Sequence, residues 1–219
     1  KYMSLTFVAL ALAVASSGQQ RGSLSDHNLR GNAKVIVTPA ASPANIDDLV
    51  RMSRTIVCGT VTSDSSNRVF GRGLARRPMV ITEVRVAVDR VIKGEVRGKA
   101  GHLLLSQVGG RSEDGDVEAV NDTLLSEGES YVLFLLDDEG QSDRPNVSNL
   151  PRYSVVGVWS GKVRIADQRI KFLPSVHPEL RKLNGMSLDE FLVAVQAASG
   201  TPPVSTERLP IHPGGDRRK

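Results

Sequence analysis

Four arginines, Arg68, Arg72, Arg76 and Arg77, stand close together in a polar stretch that also carries Phe70, Gly71 and Gly73. Guanidinium groups grip planar oxyanions through two parallel hydrogen bonds. A loop of this kind suits phosphates, sulfated glycans or an acidic protein surface. A second stretch supplies the opposite charge in Glu113, Asp114, Asp116, Glu118 and Asp122. These carboxylates lack the D-x-[DN]-x-[DN]-G-x5-E order that fixes calcium coordination, so a solvated loop is expected there.

No constellation of nucleophile, base and metal ligand emerges elsewhere. His27, His102, His177 and His212 are widely separated, and neither H-E-x-x-H nor C-x-x-C spacing occurs. His102 and His177 are expected at the surface or as caps. Gly157, Ser160 and Gly161 superficially suggest a serine nucleophile, but the elbow motif needs its serine at the third position, followed by a helix. A hairpin turn is expected instead. Gly71-Arg72-Gly73 lacks the strand and helix that would turn it into a phosphate loop. The sequence therefore nominates no catalytic residue, no metal ligand and no cofactor site. Trp159, flanked by Gly157 and Gly161, is singled out as a partner-facing aromatic beside the four arginines, whereas Tyr131, Phe134, Tyr153 and Phe172 are expected in the core.

The elements that must position these groups are mostly strands. Residues 79–94 read MVITEVRVAVDRVIKG, with Val80, Val84, Val86, Val88 and Ile92 on one parity and Glu83, Arg85, Asp89 and Lys93 on the other. That period of two is a strand with one buried face. Further strands are expected at 54–62, 102–108, 131–136, 153–159, 162–166 and 169–173, with polar connections at 63–78 and 111–130. The continuous apolar run of 131–136 implies burial on both faces. Two short helices complete the inventory. One spans 45–53, with Asp47 and Asp48 near its start. The other follows Ser187, whose partner Glu190 forms a capping box and whose Leu188, Phe191, Leu192 and Val195 line one face. Five or more antiparallel strands with two flanking helices predict a mainly β domain built as a small OB-like barrel.

The ends suggest an exported protein. Residues 5–15 form an apolar run too short for a bilayer span and close on Ala13-Val14-Ala15, so residues 1–15 read as a signal peptide. Residues 16–44 then form a flexible leader, 45–198 the barrel domain and 199–219 a disordered basic tail. The single cysteine, Cys58, excludes an internal disulfide and, among Ile56, Val57 and Val61, reads as a core thiol. No stable membrane anchor is expected after the apolar run. Asn121-Asp122-Thr123 and Asn146-Val147-Ser148 are glycosylation sequons that matter only in a glycosylating host. The formal net charge of +4 does not demand a nucleic-acid partner. Aromatic residues, at 4%, are too few for a row of base-stacking platforms.

The order of RTIVCGTV, VITEVRVAVDRVIKGE, a strand closing in Gly109-Gly110, GESYVLFLL, YSVVGVWSGKVRI and MSLDEFLVAV resembles a group of exported bacterial proteins. That group is similar in fold to the netrin module and the tissue inhibitors of metalloproteinases. The resemblance spans about residues 47–195 and rests on Gly59, Lys93-Gly94, Gly128-Glu129, Gly157 and Gly161. It implies an OB-like barrel in the bacterial envelope or secreted from the cell. In the metalloproteinase inhibitors an N-terminal cysteine chelates the protease zinc, and Cys58 lies inside an expected strand instead. The combined expectation is a non-catalytic binding module that engages a protein or acidic polymer through barrel-mouth loops. A secreted protease inhibitor, a hydrolase assembled from distant residues and a nucleic-acid-binding barrel are the alternatives.

Overall fold

The apolar alternation from Val80 onward becomes a strand with a neighbour on each side. The computed structural model describes residues 33–39, 41–70, 79–97, 101–112, 115–138 and 150–200. The expected signal peptide lies outside these residues, as does the expected basic tail apart from Ser199, which ends the last helix, and Gly200, which caps it. In chain order the elements are β1 (Ala33–Val35), α1 (Ile46–Met52), β2 (Thr55–Phe70), β3 (Met79–Lys93), β4 (His102–Val108), β5 (Gly110–Ser112) and β6 (Gly115–Ala119). There follow β7 (Ser130–Asp137), β8 (Arg152–Val155), β9 (Lys162–Ala166), β10 (Arg169–Phe172), α2 (Pro178–Arg181) and α3 (Leu188–Ser199).

The main sheet runs β10-β9-β7-β2-β3-β4-β8, and a further pairing of β7 with β8 closes five of its strands into a barrel. The mainly β, OB-like expectation holds, with two refinements. One closing pair, β4 with β8, is parallel, joining Leu104 to Arg152 and Leu105 to Tyr153. A third helix, the single turn α2, stands beside the two expected ones. It begins with Pro178 in the first turn, where the missing N–H costs nothing.

Period-two alternation builds two cores from the same strands. Val57, Val84, Leu103, Leu105, Leu133 and Leu135 fill the barrel interior. The alternate residues Ile56, Val132 and Phe134 face outward and meet Leu49 of α1 with Phe191 and Val195 of α3. Phe191 stands edge-on to Phe134 and Phe172, with ring centroids 6.3 and 5.9 Å apart. Burying each such large apolar side chain contributes roughly 1.5–3 kcal/mol. The strand β7 is thus buried on both faces, as its continuous apolar run implies.

Lys93 and Gly94 lock α1 to the barrel. The Lys93 Nζ donates to Val50 O and Ser53 O at 2.7 and 2.8 Å, satisfying carbonyls at the helix end. Gly94 follows at φ +71°, where a β-carbon would stand 2.4 Å from Arg54 O. Only glycine fits that position.

The stretch expected as one strand over 153–159 is interrupted. Leu135 pairs with Val155 and Leu133 with Lys162, so residues 156–161 loop out opposite Phe134 alone. Phe134 closes the base of this excursion, donating from its N–H to Gly161 O and accepting from Val156 N, both at 3.0 Å. Val158 at the tip has φ +62°, a conformation that costs a β-branched residue on the order of 1–3 kcal/mol. The excursion turns Trp159 inward.

Three polar segments are more ordered than their composition suggests. The strand β2 continues to Phe70 instead of ending near 62. Strands β5 and β6 form a hairpin within the stretch 111–130. The leader expected to be flexible through 44 contributes β1, which lies parallel to β6 with Val35 opposite Ala119, and it buries Val37.

Candidate functional site

The strands β2 and β3 extend beyond the barrel as a two-stranded ribbon that carries one of the arginines singled out in the sequence. The strand β2 pairs with β7 from Thr55 to Thr60. Val61 then exchanges backbone hydrogen bonds with Glu129 O and Gly128 N at 3.0 and 2.9 Å. Beyond that point β2 follows β3, from Ser63 opposite Arg85 to Phe70 opposite Met79. Arg68 lies on this strand opposite Ile81, not in a loop. Arg72, Arg76 and Arg77 belong to the connection between Phe70 and Met79 and lie outside the described residues.

Trp159 is placed elsewhere. It is 7% exposed and packs in the outer core with Leu49, Val50 and Phe134, so it presents no surface to a partner. The glycines on either side, which drew attention to it, are there to form the excursion.

Beside the β2–β3 end, β5 packs against both strands and borders an open cleft of about 720 Å³. Thr82 of β3, the β5–β6 hairpin and the loop 120–127 line it. Among the described residues, its lining includes the carboxylates Asp116, Glu118, Asp122 and Glu127 and the cation Arg111. Two of these acids have exposed partners: Arg111 is 3.5 Å from Asp116, and Lys34 of β1 is 3.3 Å from Glu118. Pairs this exposed are worth at most about 1 kcal/mol and exchange readily. Val117, Val120 and Leu124 add apolar surface to the same lining.

Asp122 behaves differently. Its Oδ1 is 2.6 Å from Lys162 Nζ, and the two side chains are 1% and 2% exposed. Lys162 also donates to Thr123 O at 3.1 Å. The Leu125 N–H donates to Gln107 Oε1 at 3.1 Å, and Ser175 Oγ donates to Asn121 O at 2.9 Å. Four contacts therefore fix the loop that walls the cleft. Burial pushes the Asp122 carboxyl up and the Lys162 ammonium down, and each partner's charge opposes the shift of the other.

Three other groups weighed in the sequence, Ser160, Cys58 and His177, are shielded or capping. Ser160 is 2% exposed. Burial pushes the Cys58 thiol up to about 12, against a smaller opposing effect of Arg90. His177 caps α2, its Nδ1 accepting from the Glu179 N–H at 3.3 Å. Among the described residues, no group of three or more His, Cys, Asp or Glu is placed to hold a metal ion. None of the described helices is long and apolar enough to cross a membrane.

The pairing of Lys162 with Asp122 escaped the sequence reading, which expected Asp122 in a solvated loop. Asp122 sits in an acidic run that composition assigns to solvent, and Lys162 stands alone in a strand. Sixteen-residue hydrophobic patterns say nothing of a pair separated by 40 positions. No protein-family model matches the chain, and no curated protein matches its sequence at a significant level.

Proposed function

We propose that this chain is an exported, non-catalytic binding module that engages a partner protein through the end of the barrel where β2 meets β3. What supports this reading is charge of both signs along one stretch of fold: the sequence cluster Arg68, Arg72, Arg76 and Arg77, and an acidic cleft reached from β3. The strand bearing Arg68 leads into a connection with three more arginines, while Thr82, one residue from the partner position of Arg68, lines an acidic cleft. Charge of both signs favours a protein, which can complement both, over a uniform polyanion, which the cleft repels. Burial of Ser160 and the elevated pKa of the Cys58 thiol support the non-catalytic part of the reading. The netrin-like kinship and the envelope or extracellular address belong to the same proposal and rest on the sequence resemblance and on residues 1–15.

The test is affinity capture from the exported fraction of the source cells. The full chain and a variant with Arg68, Arg72, Arg76 and Arg77 changed to Ser are used side by side, with a sulfated polysaccharide as a parallel ligand. Retention of a discrete protein by the native chain and its loss by the variant is expected. Equal retention by both removes the arginines from the binding surface, and arginine-dependent retention of the polysaccharide alone moves the reading to a polyanion.

A further inference from the structure

We propose that Lys162 and Asp122 condense to an intramolecular amide, a covalent cross-link between β9 and the loop 120–127. The reacting groups already meet. Lys162 Nζ stands 2.6 Å from Asp122 Oδ1, one bond short of the carbon it would attack. Thr123 O accepts from the same Nζ at 3.1 Å and holds it beside the carboxyl. The backbone on both sides is fixed as well. Lys162 pairs with Leu133 of β7, while Ser175 Oγ donates to Asn121 O and the Leu125 N–H to Gln107 Oε1. Groups held in reacting geometry behave as if present at effective concentrations that reach about 10⁵–10⁸ M.

Burial supplies the second condition. The Lys162 and Asp122 side chains are 2% and 1% exposed, and their neighbours Leu133 and Leu125 belong to the barrel interior. Loss of hydration favours transfer of one proton from the ammonium to the carboxylate, leaving a neutral amine beside a carboxylic acid. Burial pushes the Asp122 carboxyl up and the Lys162 ammonium down, the direction that this transfer requires. The amine nitrogen is then a nucleophile. Its Nζ forms a bond to Asp122 Cγ, the bond from Cγ to the hydroxyl oxygen breaks, and the hydroxyl leaves as water with a second proton from Nζ. No oxidant, metal or co-reactant is consumed. Lys34 with Glu118 and Lys182 with Glu179 make the same pairing at 3.3 and 2.6 Å, but with both partners more than half exposed. There hydration keeps both groups charged, and they stay ion pairs.

Cys58 is the single cysteine of the chain, so no disulfide can join two parts of it. The amide would link positions 40 apart and tie the wall of the cleft to the sheet by a bond that no reductant opens. The ion pair is the form in which the chain first folds, and the stability of that pair concerns the chain before condensation. The inference does not depend on the four arginines or on the partner they meet.

Mass spectrometry of the full chain, kept folded at neutral pH until its mass is constant, tests the proposal. The native chain is expected to lose the mass of one water. Trypsin is expected to release a single branched peptide that contains residues 122 and 162 and is uncleaved after Lys162. The chain kept unfolded in urea, and the folded Lys162→Arg variant, are expected to retain their full mass. Full mass in the folded native chain, with residues 122 and 162 in separate peptides, overturns the proposal. So does loss of water within a linear peptide, as in succinimide formation at an aspartate, or formation of the branched peptide to the same extent in urea. The readout is a bond in the native chain, so poor folding of the variant does not affect it.

Discussion

Lys162 of β9 reaches across to the loop 120–127 and places its ammonium 2.6 Å from the Asp122 carboxylate, with almost none of either side chain in contact with water. Two charges taken from water lose several kcal/mol of hydration each, and their mutual attraction at such a site only roughly offsets that loss. The pair therefore serves to locate the loop more than to stabilise the fold. Removing one partner leaves the other stranded.

That asymmetry gives the first prediction. Lys162→Met or Asp122→Leu alone is expected to destabilise the domain by about 3–5 kcal/mol, whereas the two together are expected to be neutral or stabilising by about 1–4 kcal/mol. Urea unfolding of the two single variants and the double variant checks it. Additive losses in the double variant would contradict the account.

The two single variants should respond to pH in opposite directions. In Lys162→Met the stranded Asp122 has a folded-state pKa above its unfolded value, because burial disfavours the anion. The folded state then binds the proton more tightly, and the deficit shrinks as pH falls through the raised pKa toward the ordinary carboxylate range. In Asp122→Leu the stranded Lys162 has a lowered folded-state pKa, so its deficit shrinks as pH rises through that value. Unfolding free energies between pH 4 and 10 relative to the native chain, at about one-unit intervals, read both slopes. Parallel slopes would show that the pair is not the titrating unit.

Glycine replacements separate close approach from backbone conformation. Gly94 and Gly185 both have positive φ, at +71° and +86°, but a β-carbon on Gly94 meets Arg54 O at 2.4 Å while one on Gly185 meets nothing within 4 Å. Gly185→Ala should cost roughly 1 kcal/mol, the price of the left-handed conformation alone. Gly94→Ala should cost at least about twice that, because it also pushes α1 away from the barrel. Thermal unfolding of the two variants ranks them, and equal melting temperatures would contradict the packing described around Lys93.

Cys58 tests the outer core without any mutation. With its thiol pushed up to about 12 by burial, it carries almost no thiolate at neutral pH. Labelling by a disulfide-exchange reagent at pH 8 should proceed only as fast as the domain opens, and it should accelerate with denaturant. Immediate labelling of the folded protein would place Cys58 at the surface.

Much of the barrel is legible in the chain because alternation reports burial directly. The strand around Val84 and Val86, the run around Leu133 and the capped helix after Ser187 all appear where local pattern puts them. What the pattern misses are segments ordered by their neighbours. Ser63, Ser65 and Asn67 have the composition of a loop, yet each pairs with a residue of β3, and such tertiary pairing overrides local preference. The parallel contact of Leu104 with Arg152 is invisible because side-chain period carries no information on strand direction. Trp159 misleads for a related reason. Its glycine neighbours mark a turn correctly, but the turn folds the ring into the core. Of the proposed binding surface, the arginines stand out by type and spacing, while the acidic cleft requires the fold that brings Thr82, the β5–β6 hairpin and the loop 120–127 together.

The most direct test is hydrogen–deuterium exchange of the full chain, alone and with the protein retained by affinity capture. Contact through the arginine-bearing end predicts slower exchange at 63–70, 79–82 and 110–127, with α3 and the β9–β10 hairpin unchanged. Protection confined to α3 and β9–β10, with the β2–β3 end exchanging freely, would place the partner on the opposite core and contradict the account.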